Sequence, residues 1–244
     1  MRPQHPADYR KIWADKPVLR AIYTAWYKRM ITFCLPGRTL EIGGGAGNFK
    51  QFSREVVSTD IQPAHWLNVA SDAHRLPFVD ASFESIVLMD VLHHLERPPL
   101  FFDESARVLK PGGRLVMMEP GITPISGLFY RLFHHEPVDM SCDPDLRGPL
   151  TQDRDPYATN QAIPSLLFQG KVRCENFITH FPAFSIQKFE RIALFAYPLS
   201  GGFRSWSLVP GFLAHHITTL ENALAPLLRN FMAFRLFVVL ERNS

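Results

Sequence analysis

The sequence predicts an α/β fold built on a doubly wound, mostly parallel sheet, and three observations carry that reading. Short apolar runs alternate with helical patterns between residues 39 and 118. A glycine-rich turn follows the first run, in Thr39-Leu40-Glu41-Ile42-Gly43-Gly44-Gly45-Ala46-Gly47-Asn48-Phe49. An acid, Asp60, closes the next run, 19 residues after Glu41. Glycines let the backbone turn sharply and let a ligand approach without meeting a Cβ. An acid at that distance falls where a second parallel strand presents a carboxylate to a ribose diol.

The elements follow in order. Asp15 to Leu35 reads as one helix, with Ile22, Trp26, Met30 and Phe33 on one face and Pro36-Gly37 stopping it. Thr39–Ile42 is the first strand, and Asn48–Arg54 a short helix with Phe49 and Phe52 inward. Glu55–Thr59 is the second strand and Trp66–Ala70 a short third. Phe83–Met89 is the fourth, an apolar run of the kind covered on both faces in a parallel sheet. Pro99–Lys110 is helical and ends at Pro111-Gly112-Gly113, after which Arg114–Met118 is the fifth strand. Phe184–Leu194 alternates as a sixth, Phe212–Asn230 is a helix, and Phe231–Leu240, rich in β-formers, is a final strand. Residues 1–244 thus read as a single domain: a helical segment 1–37, a ligand-binding core 38–120, an aromatic insertion 121–181 folded as a lid over the ligand crevice, and 182–244 completing the sheet. A structureless stretch as long as 121–181 would be out of place in a compact domain.

The ligand is narrowed by exclusions. A dinucleotide fingerprint starting at Gly43 would need glycine where Asn48 stands, and one starting at Gly44 fails at Ala46. No Lys or Arg lies between Thr39 and Phe49, so a phosphate-cradling loop is absent. Glu41 beside the ligand would oppose a pyrophosphate and favour a cation. S-adenosylmethionine, with sulfonium and ammonium groups and no phosphate, meets that requirement.

Composition sets the compartment. The 46% hydrophobic and 20% charged content is that of an ordinary globular protein, and the net charge of +3 comes without a basic run, so nucleic acid is not an expected partner. Cys34, Cys142 and Cys174 are odd in number and widely spaced, which indicates neither a disulfide framework nor a zinc cluster. The polar Met1–Pro6 start lacks the apolar core of a signal peptide, and no apolar stretch approaches the roughly 20 residues that span a bilayer. A cytoplasmic protein, monomer or homodimer, is the expectation.

Five segments resemble the class I S-adenosylmethionine-dependent methyltransferases, from about Arg38 to Pro120. Glu41-x-Gly43-x-Gly45-x-Gly47 is similar to their first motif, and Asp60 to their ribose-binding acid. Ser71-Asp72-Ala73-His74-Arg75-Leu76-Pro77-Phe78 resembles the segment whose Asp meets the adenine amino group. Ser82 to Leu95 resembles the fourth strand and its loop, and Arg107 to Leu115 the following helix end, turn and strand. The resemblance implies a seven-stranded Rossmann-like methyltransferase fold whose last two strands form a hairpin. It implies S-adenosylmethionine as cofactor, with S-adenosylhomocysteine as product. The cofactor site it implies comprises Glu41, Gly43, Gly44, Gly45, Gly47, Asp60, Ile61, Asp72, Ala73, Met89 and Asp90.

His93 and His94 form the titratable pair at the implied methyl-transfer point, and neutral imidazole suits a general base. On an extended chain their side chains would diverge, and the family position favours His94 as the one facing the acceptor, with His93 turned to backbone. The pairs His134-His135 and His215-His216 lack a carboxylate or Cys at ligand spacing, so no metal is expected. After the fourth strand there is no Asn/Asp-Pro-Pro-Tyr/Phe, and a Pro-Cys nucleophile and a paired-Glu hairpin are missing as well. The expected enzyme is a methyltransferase acting on a small molecule, apolar or lipid-like. An RNA or protein methyltransferase and an inactive methyltransferase-like binding subunit remain the alternatives.

Overall fold

The computed structural model describes residues 6–53, 55–134, 136–153, 155 and 157–244. The polar start Met1–His5, the expected helix end at Arg54 and the His135 member of the second histidine pair lie outside the described residues. Seven strands form one sheet in the order β3-β2-β1-β4-β5-β7-β6. They are β1 Thr39–Ile42, β2 Val56–Asp60, β3 Val69–Ala70, β4 Phe83–Met89, β5 Leu109–Pro120, β6 Phe184–Ile192 and β7 Arg235–Arg242. The first five pair in parallel, while β7 runs antiparallel to both β5 and β6. The strand order reverses between β1 and β4, so a crevice opens beyond their carboxyl ends, where open α/β sheets bind ligands.

Alternation along each central strand divides the core into two layers. Ile86 and Leu88, Leu115 and Met117, and Leu236, Val238 and Leu240 enter one buried cluster. Val87, Val116 and Met118, and Phe237 and Val239 enter the other. Both faces are therefore apolar, which is why these strands read as continuous apolar runs. The second layer is covered by α1 Pro6–Asp15 and α2 Pro17–Phe33, with Ile22, Tyr23, Trp26, Tyr27 and Met30 buried. The first is covered by α3 Pro98–Val108 and by two helices from the expected lid, α5 Ile163–Phe168 and α6 Lys171–His180.

Several expectations are corrected. The helix expected over 15–35 is α2 Pro17–Phe33, opened by Pro17 with Lys16 as its N-cap, and a separate helix, α1 Pro6–Asp15, precedes it. The helix expected over 48–54 is a 3₁₀ turn, Phe49–Gln51; too few residues separate the glycine loop from β2 for a longer helix. The last strand starts at Arg235 rather than Phe231, since α8 Ala214–Met232 continues to its foot. Residues 121–181 are not one lid. Phe129 and Tyr130 of helix α4 Pro124–Phe133, together with His134, Glu136, Pro137, Tyr157, Thr159 and Gln161, reach the crevice, whereas α5 and α6 belong to the core.

Phe102 of α3 shows what holds those helices down. Its ring lies 5.0 Å from Phe177, 4.9 Å from Phe181 and 6.3 Å from both Phe168 and Phe184, and it is fully buried. Phe102→Ala would remove that contact surface and leave a cavity among four rings. The expected cost is about 3–5 kcal/mol of unfolding free energy, read by chemical denaturation. A loss under about 1 kcal/mol would show that the cluster refills the space.

Candidate functional site

The glycine loop leaves β1 with its backbone in the left-handed region. Gly43 has φ +72°, and a Cβ there would collide with Val91 Cγ2 from the loop after β4. Gly45, at φ +43°, is open instead: a Cβ would meet only Gly43 O, at 3.9 Å. Three bonds close the loop. Gly44 N donates to Thr59 O (2.8 Å), Gly47 N to Gly44 O (2.6 Å), and Trp66 Nε1 to Gly45 O (2.8 Å). Gly47 thus serves the turn, packed beneath Trp66, and does not line the cavity that the other expected residues share.

That cavity, about 760 Å³, is lined by Glu41, Gly43, Gly44, Gly45, Asp60, Ile61, Asp72, Ala73, Met89, Asp90 and His94. Glu41 is buried and accepts from Ser58 Oγ, while Thr59 Oγ1 holds its carbonyl at 2.9 Å. Burial pushes the Glu41 carboxyl up to about 7; Asp60 adds to the rise, and Ser58 and Lys50 oppose it. Asp60 Oδ2 accepts from Gly45 N (2.9 Å) and Oδ1 from Gln62 N (2.9 Å), which fixes its carboxylate at the loop. Asp72 Oδ1 accepts from His74 N (3.0 Å) and faces His74 Nδ1 at 2.7 Å. Three carboxylates and no Lys or Arg line this half, so its field favours a cationic ligand.

The far half is aromatic. Tyr23 of α2, Phe129 and Tyr130 of α4, and Tyr197 of α7 Ala196–Ser200 line it, whereas Tyr27 of α2 lies at the glycine-loop end beside Glu41. Between the halves stands Asp90, itself at φ +59°, whose carboxylate pairs with buried Arg235 and accepts from Tyr23 OH at 3.3 Å. Arg235 lies 4.6 Å from the Tyr197 ring and 5.4 Å from the Trp26 ring. Asp90 therefore does not cap the turn that follows, which begins at Val91 without a side-chain cap. Burial raises the Tyr23 hydroxyl to about 12.

The histidine pair departs from expectation. Leu92–His94 is a 3₁₀ turn, not extended chain, so the rings do not diverge: their centroids are 4.2 Å apart. His93 Nδ1 lies 2.9 Å from Glu119 Oε2 rather than on backbone, and its Nε2 is 3.9 Å from Glu136. Glu119 Oε1 also accepts from Val91 N (2.8 Å) and Leu92 N (3.0 Å). His94 Nδ1 is buried with no hydrogen-bond partner among the described residues. Burial first, and then neighbouring His93, pull the His94 imidazole down to about 4, so it is neutral near pH 7. No cluster of three or more potential metal ligands occurs among the described residues.

Sequence reasoning missed Arg235, Glu119, Glu136 and the helix tyrosines. Glu119 did carry a signal: an acid ending the apolar strand Leu115-Val116-Met117-Met118 has to find donors.

Comparison with known proteins agrees with this geometry. Residues 40–117 match the family described as a methyltransferase domain. The ubiquinone/menaquinone biosynthesis C-methyltransferase UbiE of Dinoroseobacter shibae is 28% identical over 165 residues, covering 56% of this chain and 63% of that protein. The chain thus matches under two thirds of that relative's length. A SAM-dependent methyltransferase from Archaeoglobus fulgidus has the same fold at TM-score 0.54 and 18% identity, covering 92% of this chain and 94% of its own. One from Thermotoga maritima gives TM-score 0.55 at 15% identity, covering 98% and 96%. Fold and crevice define a Rossmann-like methyltransferase architecture. Within it, residues 40–117 are the segment similar to the methyltransferase-domain family, and the chain as a whole shares the fold of these SAM-dependent methyltransferases.

The raised Glu41 pKa has a consequence for stability. A carboxyl titrating near 7 when folded and near 4.5 when unfolded binds its proton more tightly in the folded state. Its contribution is full below pH 4.5 and is lost as pH rises through 7. His94 acts oppositely, its contribution being lost as pH falls below 6.5 towards 4. The informative quantity is therefore the difference between wild type and Glu41→Gln. Relative to the variant, wild type should lose on the order of 3 kcal/mol between pH 4.5 and 7.5, measured by denaturant unfolding of the unliganded protein. A pH-independent difference would reject the assignment.

Proposed function

We propose that the chain transfers the methyl group of S-adenosylmethionine to a small-molecule acceptor that is apolar or lipid-like. The observation that carries this reading is the continuity of one cavity, acidic and glycine-lined at one end and tyrosine-lined at the other. Bound there, the cofactor would supply an electrophilic methyl on a sulfonium, which the acceptor attacks in line as the C–S electron pair passes to sulfur. Asp60 would take the ribose hydroxyls, Asp72 the adenine edge, and the bare face of Gly45 would admit the ligand against backbone. Glu41, ionised on the alkaline side of about 7, would set negative charge near the cationic end, with Asp90 held by Arg235 and with Met89 and Ile61 as apolar walls. The residues would act mostly by holding donor and acceptor in near-attack geometry and excluding water.

The tyrosine-rich half supports an aromatic or apolar acceptor, since such pockets combine ring surface with a few polar tips. The relative named for ubiquinone and menaquinone biosynthesis points the same way. A cavity that continues past the glycine loop favours an active transferase over a binding subunit.

Asp60→Ala removes a carboxylate expected to make charge-assisted hydrogen bonds worth about 1.5–3 kcal/mol. Calorimetry should show S-adenosylmethionine affinity falling roughly ten- to a hundredfold, and unchanged affinity would sink the cofactor assignment.

His94, as the base, is neutral at working pH with its Nδ1 lone pair unpaired. Its low pKa makes it a weak acceptor, suited to an acidic hydroxyl. His94→Ala should lower kcat by about 10²–10⁴ with little change in cofactor affinity, and the acidic limb of the pH–rate profile, near 4 in wild type, should vanish. The same limb in both proteins would make His94 a pocket wall.

A further inference from the structure

Of the 19 large apolar side chains exposed among the described residues, 11 fall in two stretches, residues 125–133 and 206–231. Helix α4 exposes Ile125, Leu128, Leu132 and Phe133. Helix α8 exposes Leu220, Leu227 and Phe231, and the turn before it exposes Phe212 and Leu213. The exposure is not marginal: Leu132 is 65% and Leu227 73% exposed. The two helices pack against each other, and the head of α4 is tied to the foot of α8 by Thr123 Oγ1 donating to Ala233 O (3.2 Å). Helix α8 buries only Ala214 and Glu221, so it rests on the surface with an apolar side uncovered. Soluble monomers rarely leave an apolar surface of this extent without a partner.

Charge narrows the partner. Between residues 121 and 133 and between 200 and 233, the charged residues are Arg131, Arg204, Glu221 and Arg229. Glu221 is buried and accepts from Phe195 N (2.7 Å) and Ala196 N (2.6 Å). Neither stretch exposes a carboxylate, and the exposed charges are the arginines Arg131 and Arg229, the latter 4.0 Å from Glu190 of β6. Position adds a second constraint. Trp206 and Phe129 line the cavity, and Arg204, also lining it, donates to Phe133 O at 2.9 Å. The apolar face therefore adjoins the mouth of the site.

We propose that the exposed sides of α4 and α8 form one face that docks on the surface of an anionic lipid bilayer. An amphipathic helix with cationic and no anionic exposed charge lies in the headgroup plane with its apolar side in the acyl boundary, and nearby arginines attract acidic headgroups. No helix among the described residues is long and apolar enough to cross a membrane, so the mode is surface docking. A second copy of the chain is disfavoured, because symmetric pairing would set Arg131 against its own copy with no exposed carboxylate of either stretch to meet it. Docked so, the cavity mouth opens at the interface, where an amphiphilic acceptor resides. The docking surface stands independently of methyl transfer.

The test is co-sedimentation of the full chain with vesicles of phosphatidylcholine alone and with added phosphatidylglycerol. Wild type should partition about tenfold more strongly into the anionic vesicles. The double variant Leu128→Glu/Leu227→Glu, at exposed positions outside the cavity, should lose that partitioning at least about tenfold while keeping its Tm and its calorimetric affinity for S-adenosylmethionine. Wild type remaining in the supernatant with both compositions would overturn the proposal, as would a variant that sediments like wild type. So would a wild-type dimer that the same substitutions break, without vesicle binding; that result assigns the face to a second copy. Vesicle binding without cofactor binding would leave the docking face standing and remove the methyltransferase reading.

Discussion

The buried Glu119 carboxylate ties the end of β5 to the chain that leaves β4, and the shape of the site follows from it. One oxygen accepts the N–H groups of Val91 and Leu92, and the other faces His93 Nδ1. A carboxylate taken from water needs that many donors to be tolerated. Because its partners are consecutive in the chain, they cannot meet it from an extended strand, and the backbone coils into the 3₁₀ turn Leu92–His94. The turn sets Val91 against Gly43, which cannot then carry a side chain, and it stacks His94 on His93 beside the cavity. Glycine loop, histidine pair and cavity wall are thus one coupled arrangement.

Around that arrangement the cavity keeps its two chemistries apart. Glu41, Asp60 and Asp72 hold one end acidic, while Tyr23, Tyr130 and Tyr197 line the other with ring surface and polar tips. The Asp90–Arg235 pair stands between them, its cation enclosed by Trp26 and Tyr197. Lys16 supports the tyrosine end from outside. Its ammonium donates to the carbonyls of Gly202 (2.7 Å), Arg204 (2.9 Å) and Trp206 (2.7 Å), fixing the segment that carries Phe203 and Trp206. Burial lowers the Lys16 pKa to about 8.

The half of the fold that was legible in the sequence is the half governed by local rules. Strands β1, β2 and β4 follow from apolar runs bounded by turn residues, and the glycine loop follows from spacing. What was not legible depends on distant partners. Nothing local says that Arg235, opening an apolar strand, must neutralise Asp90, or that Tyr23 and Tyr27 face a cavity rather than the core. The insertion 121–181 misled because its aromatics serve two surfaces. Phe129 and Tyr130 face the cavity, whereas Phe168, Phe177 and Phe181 pack on Phe102. Composition alone does not separate them. Phe49 and Phe52 mark an inward-facing turn, but the few residues left before β2 hold it to the 3₁₀ turn Phe49–Gln51.

The place of β7 within the sheet has a consequence for how the chain is made. β7 lies between β5 and β6, so β5 gains its outer neighbour only after residues 121–234 have been synthesised. At roughly 5–20 residues per second, the free edge of β5, with Leu115 to Met118 in its apolar run, waits several seconds or more on the ribosome. Exposed apolar edges are templates for wrong pairing. The architecture therefore places a demand for protection during birth on a strand that in the finished molecule is paired along both edges.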